Sequence, residues 1–234
     1  MATVHRRRRQ GGQEIIEFAL VAILLIPILL GAVITGIGLV RNIQAQQVCR
    51  DLTSIYIHGG EFSTYSMQQL AQKLALGLNL QIGSNFSGNQ RENTDNAGDV
   101  LITVSQIEYV GPTTAALCTS VGAANCTNHD SFVFTERVRL GNWSVTGWNG
   151  STLGDPSTTS ITDDGTISSP VTDAGAKLPG TGQTNMTNLW QGTSNGRTAL
   201  VDGQVVYVVE MYVQPTGLSL GMYSTGGIYA RYFF

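Results

Sequence analysis

Residues 18–40 read FALVAILLIPILLGAVITGIGLV, an apolar stretch of 23 residues without a charged side chain. As a helix rising about 1.5 Å per residue it would be roughly 35 Å long, enough to cross a hydrocarbon core of about 30 Å. Four arginines, Arg6 to Arg9, precede the stretch, and Arg41 alone follows it directly. The positive-inside rule therefore places the N-terminus in the cytoplasm and everything after Arg41 beyond the cytoplasmic membrane.

The rest of the chain is acidic and poor in charge. Charged side chains make up 12% of the 234 residues, about half the share in typical soluble domains. Without residues 1–12, the chain has 9 basic and 16 acidic side chains, a formal charge of −7. This balance argues against a nucleic-acid partner, because proteins that bind nucleic acids are usually basic. An apolar content of 42% excludes a polytopic membrane protein but leaves room for one membrane segment.

A short phrase, GQEIIEF at residues 12–18, comes directly before the apolar stretch. Glu17 is its unusual member, because a carboxylate costs about 2.5–3.5 kcal/mol at the centre of a membrane and less at the edge. A glycine, four residues and then Glu-Phe resembles the processing site of class III signal peptides, in particular the G/xxxxEF signature of Flp/Tad-type IV pilins. The resemblance implies that a prepilin peptidase cuts between Gly12 and Gln13, on the cytoplasmic face.

The same resemblance implies an assembly role for Glu17 and Phe18. Glu17 would neutralise the new α-amino group of Gln13 on a neighbouring subunit, which makes an otherwise expensive charge useful. The run Glu17-Phe18-Ala19-Leu20-Val21, followed by Pro27, is similar to the N-terminal segment of TadE-like pseudopilins. Alternatively, Glu17 has no assembly role, and its carboxylate only reaches the headgroup boundary of the membrane.

Two helices are predicted before the first strand. The apolar spacing after Arg41 continues the membrane helix to residue 58, where His58-Gly59-Gly60 ends it. Ser66 with Gln69 three residues later resembles a capping box and predicts the start of a second, amphipathic helix. Its apolar positions form one continuous stripe of Met67, Leu70, Ala71, Leu74, Ala75 and Leu78.

Four later segments have the alternation or the β-branched and aromatic content of strands. They are residues 100–106, 132–140, 205–213 and 228–234. The second segment predicts one shared face for Phe132, Phe134, Glu136, Val138 and Leu140. We therefore expect an α+β fold of pilin-like arrangement: a long N-terminal transmembrane helix, a second amphipathic helix and a small antiparallel sheet.

Residues 141–198 interrupt the strands with a long polar insertion. Gly, Ser, Thr and Asn account for 34 of its 58 residues, and the segment is too long for an ordinary loop. It is either an exposed or a partly disordered insertion. It contains all three tryptophans, Trp143, Trp148 and Trp190, so we expect partial order through aromatic packing. The same rings are candidates for binding a sugar or a surface.

The three cysteines suit an oxidising compartment. Cys118 and Cys126 enclose seven residues between two predicted strands, which favours a short disulfide loop. Cys49 is left over, and both a packed thiol and an intermolecular bridge are compatible with its position. His129 is the only additional metal ligand near the pair, so no metal site is predicted.

Nothing in the sequence indicates an enzyme. Residues 217–221, GLSLG, match G-x-S-x-G, but no His, Asp or Glu follows Ser219 as the acid and base of such a nucleophile. No other grouping of a base and a nucleophile stands out, and no cofactor motif is present.

The sequence thus predicts three parts: a cleaved basic leader (residues 1–12), a transmembrane and assembly helix (13–58) and an exported α+β domain (59–234). The resemblance implies a minor pilin-like structural subunit of a Tad/Flp-type pilus or secretion apparatus in the inner membrane. Its partners would be prepilin peptidase, other pilin-like subunits and the Tad or type IV assembly machinery. Two alternatives remain open: the major subunit of an extracellular filament with a surface domain, and an uncleaved single-pass membrane-anchored binding module.

Overall fold

The structure is a computed structural model that describes residues 10–83, 91–94, 97–191, 199–215 and 227–234. Its helices are α1 (Gln10–Ile57), α2 (Tyr65–Leu74), α3 (Ala116–Val121) and α4 (Gly180–Met186). Its strands are β1 (Glu92–Thr94), β2 (Val100–Val110), β3 (Ser131–Gly141), β4 (Val205–Val213) and β5 (Ile228–Phe233). The predicted α+β class, with a long apolar N-terminal helix, is confirmed.

The chain divides into two compact units, and the boundary falls inside α1 between Val40 and Arg41. The first unit contains α1 up to Val40. The second contains the rest of α1 and every other helix and strand named above.

Helix α1 is continuous through Pro27 and ends where the sequence predicts. After Ile57 the chain takes a left-handed conformation at Gly59, with φ of +85°, which favours glycine. The next residue, Gly60, approaches the last turn so closely that an added Cβ would lie 2.9 Å from the carbonyl oxygen of Ile55. Both glycines therefore have structural reasons to be present.

The start of α2 differs from the prediction. Its N-cap is Thr64, whose side chain makes no capping hydrogen bond and instead donates to the carbonyl of Glu61 at 2.7 Å. Ser66 lies inside the helix, so the predicted capping box with Gln69 is wrong. The backbone turn at residues 61–64 replaces it as the start of the helix.

The buried face of α2 is only partly the predicted stripe. Ala71 and, directly after the helix, Ala75 are fully buried, whereas Leu70 and Leu74 are each more than one third exposed. Gln68 occupies a buried position because its amide donates to the carbonyl of Phe62 (2.9 Å) and accepts from the amide nitrogen of Asn93 (2.6 Å). A polar residue whose donor and acceptor are both hydrogen-bonded can thus take the place of an apolar one on a buried face.

The five strands form one sheet in the order β1-β3-β2-β4-β5. All four predicted strands are present, and β4 has the predicted bounds. The four longer strands pair antiparallel, as expected. The short polar strand β1 adds a parallel edge next to β3, so the sheet is mixed.

A β-bulge at Thr135 divides β3 into two parts. The register with β2 skips this residue, so the alternation of side chains reverses there. Before the bulge, Phe132 and Phe134 belong to one core cluster, and after it Val138 and Leu140 belong to another. The prediction of one apolar face along the whole strand is therefore wrong.

Two different layers cover the sheet. The helix-covered face packs against the part of α1 that follows Arg41 and against α2, through Ala45, Val48, Cys49, Leu52, Tyr56, Ala71 and Ala75. The insertion-covered face packs against apolar residues scattered through the long polar insertion, namely Leu153, Ile167, Ala176, Leu178 and Met186. The described part of the insertion is therefore a second cover of the sheet and not an exposed loop.

The expected packing of the tryptophans is present, and Trp190 packs against the core cluster of the insertion-covered face. Trp148 packs on Tyr212 and Tyr229, with ring centroids 5.6 Å and 6.3 Å away. Trp143 lies under the guanidinium of Arg139, 4.4 Å from ring centroid to Cζ, and is 45% exposed.

The cysteine predictions have a clear outcome. Cys118 and Cys126 form the predicted disulfide, which closes the connection between β2 and β3. Cys49 is 1% exposed in the core of the helix-covered face, so of its two alternatives the structure shows the packed thiol.

Candidate assembly site

The first unit presents a large exposed apolar surface along α1. More than half of each of the following side chains is exposed: Ile15, Ile16, Phe18, Leu20, Val21, Ile23, Leu24, Leu25, Ile26, Ile28, Leu29, Val33, Leu39 and Val40. Soluble monomers rarely expose contiguous apolar patches of this size. In the described part of the chain, α1 is the one helix long and apolar enough to cross a membrane. Its length and composition suggest a membrane anchor.

The predicted cleavage junction lies at the start of this helix. Helix α1 begins at Gln10, so Gly12 and Gln13 belong to its first turns, while Arg6 to Arg9 lie outside the described residues. A Cβ added to Gly12 would meet no atom of the described part of the chain within 4 Å. Unlike Gly60, therefore, Gly12 is not required by the packing of the fold.

The predicted assembly residues follow on the same helix. Glu17 lies four residues, or about 6 Å of helix rise, after Gln13. Both Glu17 and Phe18 are exposed, Phe18 by 76%. A carboxylate is thus placed on the surface of α1, at the point where the continuous apolar stretch begins.

The second unit contains a buried ionic cluster that sequence reasoning missed. Arg137 of β3 is 3% exposed and lies on the insertion-covered face. It donates to the carboxylate of Asp155 at 2.7 Å and to the carbonyl of Gly154 at 2.9 Å. Its other terminal nitrogen lies 3.6 Å from the carboxylate of Glu210, which is fully buried in β4. Arg139 also donates to Asp155.

The electrostatics of this cluster follow from burial and pairing. Burial lowers the pKa of Arg137, while the charges of Glu210 and Asp155 act in the opposite direction. Burial would raise the pKa of Asp155, but Arg137 and Arg139 together hold it below its ordinary value. Burial and then the charge of Glu210 raise the pKa of Tyr229, whose hydroxyl donates to that carboxylate. The cluster is therefore a set of paired charges.

One sequence signal could have indicated this cluster. Glu210 is the only charged residue in β4, whose sequence is VVYVVEMYV. A lone carboxylate within an apolar strand is rarely buried unless it is paired. Its partner, Arg137, could not be identified, because the pairing depends on the order of the strands and on the bulge in β3.

The structure indicates no catalytic or metal centre within the residues that it describes. No group of three His, Cys, Asp or Glu side chains in those ranges is arranged to hold a metal ion. The G-x-S-x-G match at residues 217–221 lies outside them.

Comparison with known proteins identifies the N-terminal segment. Residues 12–52 match the model of the family described as TadE-like protein. No curated protein and no solved structure gives a significant match to the chain. The family match starts at Gly12, runs through the exposed apolar surface of α1 and stops five residues before the helix ends at Ile57. From residue 12 to residue 52, therefore, this chain carries a TadE-like segment.

Proposed function

We propose that the chain is a minor pilin-like subunit of a Tad/Flp-type pilus or secretion apparatus, with a structural and not an enzymatic role. The observation that carries the proposal is that three boundaries fall within four residues. The TadE-like match begins at Gly12, the GQEIIEF phrase begins there, and the exposed apolar surface starts three residues later at Ile15.

Processing by a prepilin peptidase explains features of the N-terminus that the fold does not. The packing around Gly12 leaves open space for a side chain, so a small residue there serves another requirement. Cleavage after Gly12 removes four arginines and keeps the apolar helix as an anchor. The mature subunit would then start at Gln13.

Assembly through α1 explains its exposed apolar surface. In the membrane, the helix is covered by lipid, and in an assembled bundle by the helices of other pilin-like subunits. Glu17 then pairs with the α-amino group of Gln13 on a neighbouring subunit, which offsets the cost of placing a carboxylate among apolar side chains.

The topology follows from charge and from cysteine chemistry. The leader stays in the cytoplasm, α1 crosses the inner membrane, and the second unit is exported to the periplasm or the cell surface. The Cys118–Cys126 disulfide suits this location, because disulfides persist in oxidising compartments.

The first experiment determines the N-terminus of the protein isolated from its native membrane, by mass spectrometry. We expect a mature chain that starts at Gln13, and an intact leader in the Gly12→Val variant. Gly36→Val is the matched control, because Gly36 lies in the same helix and also has open space for a Cβ. An intact leader in the wild-type protein would instead indicate an uncleaved membrane-anchored module.

The second experiment separates assembly from processing. Glu17→Gln keeps the shape of the side chain but removes its charge, so the variant should be cleaved normally and yet be depleted from the pilus fraction sheared off the cells. Glu14→Gln is the control, since Glu14 is an exposed carboxylate one turn earlier. Equal amounts of both variants in the sheared fraction would refute the role of Glu17. A sheared filament made mainly of this chain would favour a major subunit.

A further inference from the structure

A small cavity of about 90 Å³ lies in the second unit, in a part of the chain outside the TadE-like match. Three arginines line it: Arg91 directly before β1, and Arg137 and Arg139 of β3. Glu92 and three residues of the insertion complete its wall. Nothing in the proposed assembly function uses this cavity.

Two of the arginines have an unused hydrogen-bond donor. Arg91 and Arg137 each have a buried Nε–H that finds no acceptor among the described residues. The terminal nitrogens of Arg137 are already engaged by Ser105, Gly154 and Asp155, so its Nε–H is the donor that remains. Buried donors without an acceptor are rare in native proteins, because the lost hydration is not replaced.

Contacts outside the cavity wall fix the guanidinium groups of Arg137 and Arg139 in position. Asp155 accepts from both Arg137 and Arg139, and the ring of Trp143 lies under the guanidinium of Arg139. Arg91 forms no ion pair within the described ranges, and its side chain donates a long hydrogen bond of 3.4 Å to the carbonyl of Ile161. The cavity wall therefore carries three guanidinium groups and one carboxylate, Glu92.

We propose that this cavity binds an oxyanion, the carboxylate, phosphate or sulfate group of a ligand, through the guanidinium groups that line it, above all that of Arg91, which has no carboxylate partner among the described residues. Guanidinium groups match the planar and tetrahedral oxygens of such anions and bind them by charge-assisted hydrogen bonds. A cavity of this size suits one such group. A larger acidic ligand would insert its anionic group and leave the remainder outside.

The test measures binding by equilibrium dialysis of the full-length protein in detergent micelles, with radiolabelled phosphate and radiolabelled glucuronate as separate probes. We expect saturable binding of at least one probe by the wild-type protein. Arg91→Gln should weaken it by about tenfold or more. Arg50→Gln, which removes the same charge from a side chain that is 64% exposed on α1, should leave it unchanged.

A second variant keeps the test decisive if Arg91→Gln lowers the stability of the fold. Glu92→Gln removes the one carboxylate of the cavity wall and should strengthen binding severalfold. Tighter binding of phosphate than of glucuronate would identify a free inorganic anion as the ligand, and the reverse would identify an acidic sugar. Absence of saturable binding, or equal affinities in the wild type, Arg91→Gln and Glu92→Gln, would overturn the proposal.

Discussion

The two faces of the sheet are closed in different ways. The helix-covered face is apolar at its centre, where Leu52 of α1 is fully buried, and its polar contact between Tyr56 and Glu136 (2.7 Å) is only partly buried. The insertion-covered face buries Arg137 and Glu210 among apolar residues. One face thus depends mainly on apolar burial, with a few hydrogen bonds, whereas the other also buries a pair of opposite charges.

The two covers therefore tolerate amino-acid substitutions differently. Apolar burial is non-directional, so a smaller side chain loses contact area and leaves a cavity while its neighbours keep their partners. A buried ion pair is directional, and removing one member leaves the other charged and unpaired. The insertion, which is rich in Gly, Ser and Thr, is thereby fixed to the sheet by a few residues that cannot be exchanged singly.

The largest effect is expected from removing the charge at the centre of the insertion-covered face. Arg137→Met should lower the free energy of unfolding by about 3–5 kcal/mol, because Glu210 would stay buried without its cation. Urea unfolding in detergent micelles measures this through tryptophan fluorescence, since all three tryptophans lie in the insertion. Arg50→Met is the control, and an exposed arginine should contribute less than about 0.5 kcal/mol. A similar small loss in Arg137→Met would contradict the importance of the buried pair.

A smaller loss is expected on the helix-covered face. Leu52→Ala should cost about 3 kcal/mol through lost apolar contact and a residual cavity. Leu76→Ala makes the same change at a side chain that is 73% exposed, and should cost less than about 0.5 kcal/mol. The same fluorescence assay applies. Equal effects of the two leucine changes would show that the second half of α1 does not form part of the core.

Regular periodicity explains which parts of the fold could be predicted from the sequence. The strand at residues 205–213 was predicted with its correct bounds, because β-branched and aromatic residues fill it without interruption. The TadE-like segment was predicted from a short phrase with fixed spacing around Gly12 and Glu17, and the family match to residues 12–52 bears this out. In both cases the signal lies in neighbouring residues.

Features that depend on distant residues were not predictable. The bulge at Thr135 reverses the faces of β3, yet nothing in the local sequence distinguishes it from regular alternation. Gln68 is buried because Phe62 and Asn93 provide partners, and the latter belongs to a strand that forms only against β3. The cover formed by the insertion rests on apolar residues too widely spaced to show a period.

The smallest effect, and the sharpest contrast between the faces, is expected in acid. Asp155, on the insertion-covered side, has a folded-state pKa below its ordinary value of about 3.9, so its contribution to stability is present above that pH and is lost as the pH falls further. The pKa shift of Glu136, on the helix-covered face, has the opposite sign. Burial raises its pKa in the folded state, so its contribution is present below its ordinary pKa of about 4.3 and is lost as the pH rises through the folded value.

The two carboxylates can be separated by their amide variants. Urea midpoints measured between about pH 3 and pH 7 should show a weaker loss of stability on acidification in Asp155→Asn than in the wild-type protein. Glu136→Gln should show a stronger loss over the same range, because the gain from protonating a buried carboxylate is absent in this variant. Both substitutions preserve the shape of the side chain, so a common structural defect would shift the two profiles in the same direction. Parallel profiles for both variants and the wild type would mean that the two faces do not differ in their buried charge.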